Sequence, residues 1–157
     1  MVIKIIFVIL WGFGGVLLGI TLKKRLDDKK TYFADAHAFC ENFRHDLTYK
    51  QSKLKDFIEN FSYKGEEFKK DILTFCKNFN ADVPLFSRLN TEEKSEIKQL
   101  FSSLGNVDIQ TQLSLIEERK SALETYCKKY REKADKDGKL YVKLGLLFGL
   151  CTGVLLV

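Results

Sequence analysis

Very little in this chain can break a helix: of its 157 residues one is proline, Pro84, and methionine and tryptophan also occur once each. Histidine occurs twice, which leaves few imidazoles for general-base or metal chemistry. Four cysteines, Cys40, Cys76, Cys127 and Cys151, stand far apart with no CxxC pair. No phosphate-binding glycine loop and no nucleophile motif appear, and the ten glycines concentrate at the two ends. These absences argue against an enzyme, and no cofactor is expected. Charge is missing altogether from residues 5–22, IIFVILWGFGGVLLGITL, and from residues 144–157, LGLLFGLCTGVLLV.

The averages hide that unevenness. Hydrophobic residues make up 45 % of the chain, charged ones 30 %, and mean hydropathy is −0.15. The net charge is +5. Residues 23–30, KKRLDDKK, carry +3, residues 128–139, KKYREKADKDGK, carry +3 again, and residues 31–127 between them carry −3. An excess of basic charge can mean nucleic acid as a partner. Here it sits beside the two apolar ends, where the positive-inside rule would put it, so nucleic acid is not expected.

Eighteen uncharged residues, 5–22, give about 27 Å of helix against a hydrocarbon core of about 30 Å. Lys4 is a thin basic start and LGITLKKR has no small-residue cleavage pattern, so the segment reads as an uncleaved span. The C-terminal run gives about 21 Å, or about 27 Å once Leu140–Lys143 are added and Lys143 reaches outward. By length alone it would suit a buried core helix equally well. Glycine tips the balance: each one inside a soluble helix costs about 1 kcal/mol relative to alanine, whereas small residues let lipid-embedded helices approach. Gly145, Gly149 and Gly153 repeat at four, and Gly12, Gly15 and Gly19 share a face of the first segment. The expectation is a hairpin of two transmembrane helices packed through those six glycines. Self-association across the same faces, giving a homo-oligomer, stays open.

The body between them is expected to be helical almost throughout. Apolar residues at 32, 36, 39, 40, 43, 47, 54, 57, 58 and 61 keep helical spacing, weakening at Thr48–Lys53. Lys64-Gly65 marks a turn. A second helix over Glu66–Phe79 shows Phe68, Ile72, Phe75, Cys76 and Phe79 on one side. A loop surrounds Pro84, and Asn90-Thr-Glu-Glu93 is a capping-box start. That helix is expected to stop at Leu104-Gly105, with glycine at the C′ position. Asp108 is a good N-cap for a last helix with the face Ile109, Leu113, Ile116, Leu123, Cys127, Tyr130 and Ala134. It should run into the terminal segment, with Gly138 a point of loosening. The fold class is therefore all-α: an antiparallel helical bundle (23–139) flanked by transmembrane helices at 1–22 and 140–157. Both basic flanks adjoin the body, which puts the body in the cytoplasm and both termini on the opposite side of the membrane.

His37 and Cys40, three apart, could share a face with Cys76 or Cys127 as a zinc site. All three cysteines fall on apolar faces, so no metal is expected; in the cytoplasm they would be reduced thiols. Glu92, Glu93 and Glu96, and the pair Glu117-Glu118, suit solvated faces or caps better than acid–base pairs. The 13 phenylalanines suit a bundle core.

From Leu100 the sequence carries LFxxLG (Leu100, Phe101, Leu104, Gly105), then Asp108 and Gln112, a long charged helix, and K-x-Y-x-x-L-G over Lys139–Gly145 before the glycine-containing tail. In these features it resembles the stage III sporulation protein AB family of endospore-forming bacteria. The family tends to carry Thr-Pro-Leu where this chain has Ser52-Lys53-Leu54. The resemblance implies a helical domain similar to the cytoplasmic domains of type II secretion and type IV pilus platform proteins. It also implies the membrane between mother cell and forespore, other sporulation channel proteins, and a cytoplasmic ATPase, the stage III sporulation protein AA, as surroundings. The function expected is a non-enzymatic membrane platform or adaptor; the alternative is a membrane-anchored helical scaffold of the cell envelope with no ATPase partner. A pore-forming peptide fits poorly with so large and charged a body.

Overall fold

With no proline before position 84, nothing in the first half of the chain forces a helix to stop, and α1 runs from Val2 to Tyr49. The computed structural model describes residues 2–79, 83–105 and 108–155. After α1 come α2 (Leu54–Asn60), α3 (Glu66–Lys77), α4 (Thr91–Ser102) and α5 (Ile109–Leu155). Among the described residues every regular element is an α-helix, as the spacing of apolar residues predicts. The weakening at Thr48–Lys53 is a true break, so the expected helix to Phe61 is two. Asp46 O accepts the N–H groups of Lys50 (2.8 Å) and Gln51 (2.7 Å), and Gln51 turns the chain at φ 52°. Gly138 loosens nothing: α5 passes through it unbroken.

The chain divides into two units, residues 28–129 and residues 1–27 with 130–157, and α1 and α5 contribute to both. In the first, the two long helices run antiparallel. Arg44 Nε meets Glu117 Oε2 at 3.0 Å, Lys120 meets Glu41 at 3.9 Å, and the Cys127 thiol donates to Phe33 O at 3.0 Å. The short helices close the core over them. Phe39, Phe43, Ile58, Phe68, Ile72, Ile97, Leu100, Ile116 and Leu123 are all but fully buried. The aromatic core is continuous: the Tyr32 ring lies 5.4 Å from Phe68 and 5.5 Å from Phe86, and Phe75 stacks on Phe101 at 5.0 Å. Phe33 lies off the expected face yet is fully buried, stacked on Tyr126 at 5.0 Å. Phe79 and Ile109, expected on inner faces, are exposed, because each sits outside or at the very end of its helix.

The other unit pairs the start of α1 with the end of α5, and its outward residues, Trp11, Phe13, Leu17, Leu147 and Phe148 among them, are apolar. Here the structure overturns an expectation. Among the described residues no helix is long and apolar enough to cross a membrane. The transmembrane helices assigned to 1–22 and 140–157 are withdrawn accordingly. The two-span localisation goes with them, including the cytoplasmic placement of the body and the opposite placement of the termini, since both were argued from spans.

Candidate functional site

The residues that carry the family resemblance form the corner between α4 and α5. Leu100, Phe101 and Leu104 are buried. The Ser103 N–H donates to Gln99 O and Leu100 O, and Leu104 N–H to Phe101 O, tightening the last turn of α4. Gly105 then takes φ +87°, a left-handed conformation that a Cβ would strain, which is why glycine stands there. Residues 106–107 lie outside those described. Asp108 Oδ2 accepts the Thr111 N–H at 2.9 Å and Asp108 O accepts the Gln112 N–H at 2.9 Å, starting α5. Bonding from Thr111 holds the Asp108 carboxyl below its usual range. Gln112 is buried. The motif is thus a stop, a turn and a start.

The glycines come together in the unit formed by the chain's two ends. A Cβ on Gly15 would collide with Gly145 O, and one on Gly145 with Gly15 O. A Cβ on Gly149 would fall 2.5 Å from Trp11 O, and one on Gly19 2.6 Å from Tyr141 O. A Cβ on Gly12 would meet the Leu150 side chain at 3.4 Å, ordinary contact. At these points the two helices touch backbone to backbone, within one chain. Gly153 lies within α5, and its surroundings fall outside the described residues.

A set of buried carboxylates, of which only Glu93 was legible in the sequence, holds the loops of unit 28–129. Asp35 is 1 % exposed and accepts the backbone N–H of Lys64 (3.1 Å) and Gly65 (2.8 Å) at the start of α3. Asp71 Oδ2 accepts the Phe86 N–H at 2.9 Å and the Tyr32 hydroxyl at 2.7 Å, tying the segment after Pro84 to α1 and α3. Glu93 accepts the Asn90 N–H at 2.9 Å while Asn90 Oδ1 accepts from Glu93 N at 2.8 Å, the capping box read in the sequence. Glu93 is also fully buried and meets Lys29 of α1 at 2.8 Å. Asp46 Oδ2 and Oδ1 accept the Ser52 N–H (2.9 Å) and hydroxyl (2.8 Å). The signal for these was weak but present: each acid interrupts or borders an apolar stripe.

Burial raises Asp71, although the bonds from Phe86 and Tyr32 pull the other way, and burial pushes the Tyr32 phenol above its ordinary range. Burial likewise pushes the Cys40 thiol up to about 12, so it stays protonated and unreactive. Among the described residues no three of His, Cys, Asp and Glu stand together as metal ligands would, and His37, Cys40, Cys76 and Cys127 do not converge. Every buried side-chain polar atom described has a partner, so none is left aimed at a missing ligand. The carboxylates are committed to backbone N–H groups, hydroxyls and the Lys29 ammonium.

A family model described as stage III sporulation protein AB matches residues 4–157. No curated protein and no solved structure matches the chain.

Proposed function

Because the chain belongs to the stage III sporulation protein AB family, and so has a sporulation-related role, we propose that it is a non-enzymatic platform or adaptor of the channel complex between mother cell and forespore. In this role its helical body would engage a cytoplasmic ATPase, the stage III sporulation protein AA, beside other channel proteins. The observation that carries the reading is the match over nearly the whole chain, 4–157. The chemistry of unit 28–129 supports it: its buried acids hold its loops in place. A rigid helical scaffold presenting fixed loops is what an adaptor needs, since ordering a loop on binding costs affinity.

The test is copurification from sporulating cells. The ATPase should come down with the tagged full chain in stoichiometric amount. Its reproducible absence from an otherwise intact complex would overturn the adaptor reading in favour of a helical scaffold without an ATPase partner.

A further inference from the structure

In unit 28–129, Tyr49, Phe79 and Ile109 are the large hydrophobic side chains left exposed among the described residues. Tyr49 is the most exposed, at 78 %, and closes α1. Its ring is stacked on His45 one turn back, centroids 5.9 Å apart. The loop that follows it is held with unusual firmness. Asp46 bonds it at four points through its carbonyl and its carboxylate, and Gln51 is kept at φ 52°, a conformation that favours glycine or asparagine. A strained residue persists only where its surroundings over-determine it, and such residues gather at binding sites. The loop has no buried apolar side chain of its own to explain that effort.

What it presents is basic. Lys50 and Lys53 are exposed, and no ion pair described among these residues holds either. Asp46, the one acid close by on α1, is buried and fully bonded. Beside the loop runs a groove of about 660 Å³ between α1 and α2. The half-buried rings of Phe57 and Phe61 line it, and Lys50 and Lys64 reach its rim. Asp46 of α1 and Asp56 at the start of α2 also line it.

We propose that this groove, with the Tyr49–Lys53 loop at its end, docks an acidic partner segment that inserts an apolar side chain between carboxylates. Aromatic lining receives the apolar side chain, the exposed tyrosine extends the apolar contact, and the lysines pair with flanking acids. The preset loop spares the ordering cost. The proposal rests on the adaptor reading for its biology, but the groove is tested separately.

The probe is a fluorescent peptide with leucine and phenylalanine set among glutamates, beside a counterpart with lysines for glutamates, titrated against the full chain. The acidic peptide should bind, and Lys50→Glu/Lys53→Glu should weaken it at least tenfold without moving the melting temperature. Tyr49→Ala should weaken it too, while Lys94→Glu/Ser95→Glu on the outer face of α4 should not. A photo-crosslinker at position 49 should mark the acidic peptide. Equal binding by the charge-reversed variant, preferential binding of a single-stranded RNA probe, or crosslinks at position 49 between two copies of the chain would each overturn the proposal. Purified ATPase separates the two claims. If it binds intact chain and charge-reversed variant alike, the groove fails as its dock; if it binds neither while the acidic peptide binds as expected, the adaptor reading fails and the groove stands.

Discussion

The Asp35 carboxylate accepts the Gly65 N–H at 2.8 Å, so a side chain of α1 starts α3. Gly65 is the N-cap residue of α3 and brings no side-chain oxygen of its own, and Asp35 supplies from across the core what Ser or Asp usually supplies in place.

That arrangement leaves no room for a side chain at the joint. Gly65 has an ordinary extended backbone, but a Cβ there would fall 2.8 Å from Thr31 Cγ2 and 3.5 Å from Asp35 Oδ2. Gly65→Ala should lower stability by about 1–3 kcal/mol in urea melts. Thr31→Ser, which removes the offending methyl, should restore much of it in the double variant. Non-additivity of the two would confirm the contact, and strict additivity would locate the cost elsewhere.

Asp71 makes a prediction in pH. Its folded pKa is raised by burial, so its contribution is fully present below the ordinary carboxylate range and is lost as pH rises through the raised value. Asp71→Asn keeps an acceptor for the Phe86 N–H and cannot ionise. Relative to the parent, this variant should therefore gain stability as pH climbs from about 3 to neutrality. Chemical melts across that range would show the two curves converging or crossing; parallel curves would refute it. Asp71→Ala should cost about 2–3 kcal/mol by leaving both donors unmatched.

Lys29 and Glu93 test the buried pair. Glu93 is fully buried, so Lys29→Met strands a charge in the core and should cost about 3–5 kcal/mol. Adding Glu93→Gln, which keeps an acceptor for the Asn90 N–H, should recover part of that loss. Thermal denaturation of the single and double variants reads both steps.

Two neighbouring glycines of α1 should behave oppositely. Nothing lies within 4 Å of a Cβ on Gly14, whereas one on Gly15 would strike Gly145 O. Gly14→Ala should be neutral or stabilising by up to about 1 kcal/mol through helix propensity. Gly15→Ala should push the paired helices apart. Spin labels at the exposed positions Phe13 and Phe148 would report a longer, broader distance for Gly15→Ala and an unchanged one for Gly14→Ala.

Much of this molecule is legible from spacing alone. The α4 capping box, the Gly105 stop and the Asp108 start were readable because each depends on residues three or four apart, within reach of local rules. The α1 face was readable for the same reason, and Tyr32, Ala36, Phe39, Cys40, Phe43 and Leu47 are all buried. Phe33 was not, because its burial is decided by Tyr126, 93 positions away. Asp35, Asp46 and Asp71 were not, because a carboxylate bonding a distant backbone N–H has no sequence period. The apolar ends misled in another way: uncharged runs flanked by lysine pointed to spans, and among the described residues no helix is long and apolar enough for that.

The pairing of the chain's two ends carries a consequence in time. The unit they form joins residues 1–27 to residues 130–157, which are made about a hundred residues later. At ordinary elongation of about 5–20 residues per second, the first segment waits several seconds for its partner. Its glycine face, Gly12, Gly15 and Gly19, stays uncovered throughout, and a ribosome that stops after Lys129 leaves it so for good.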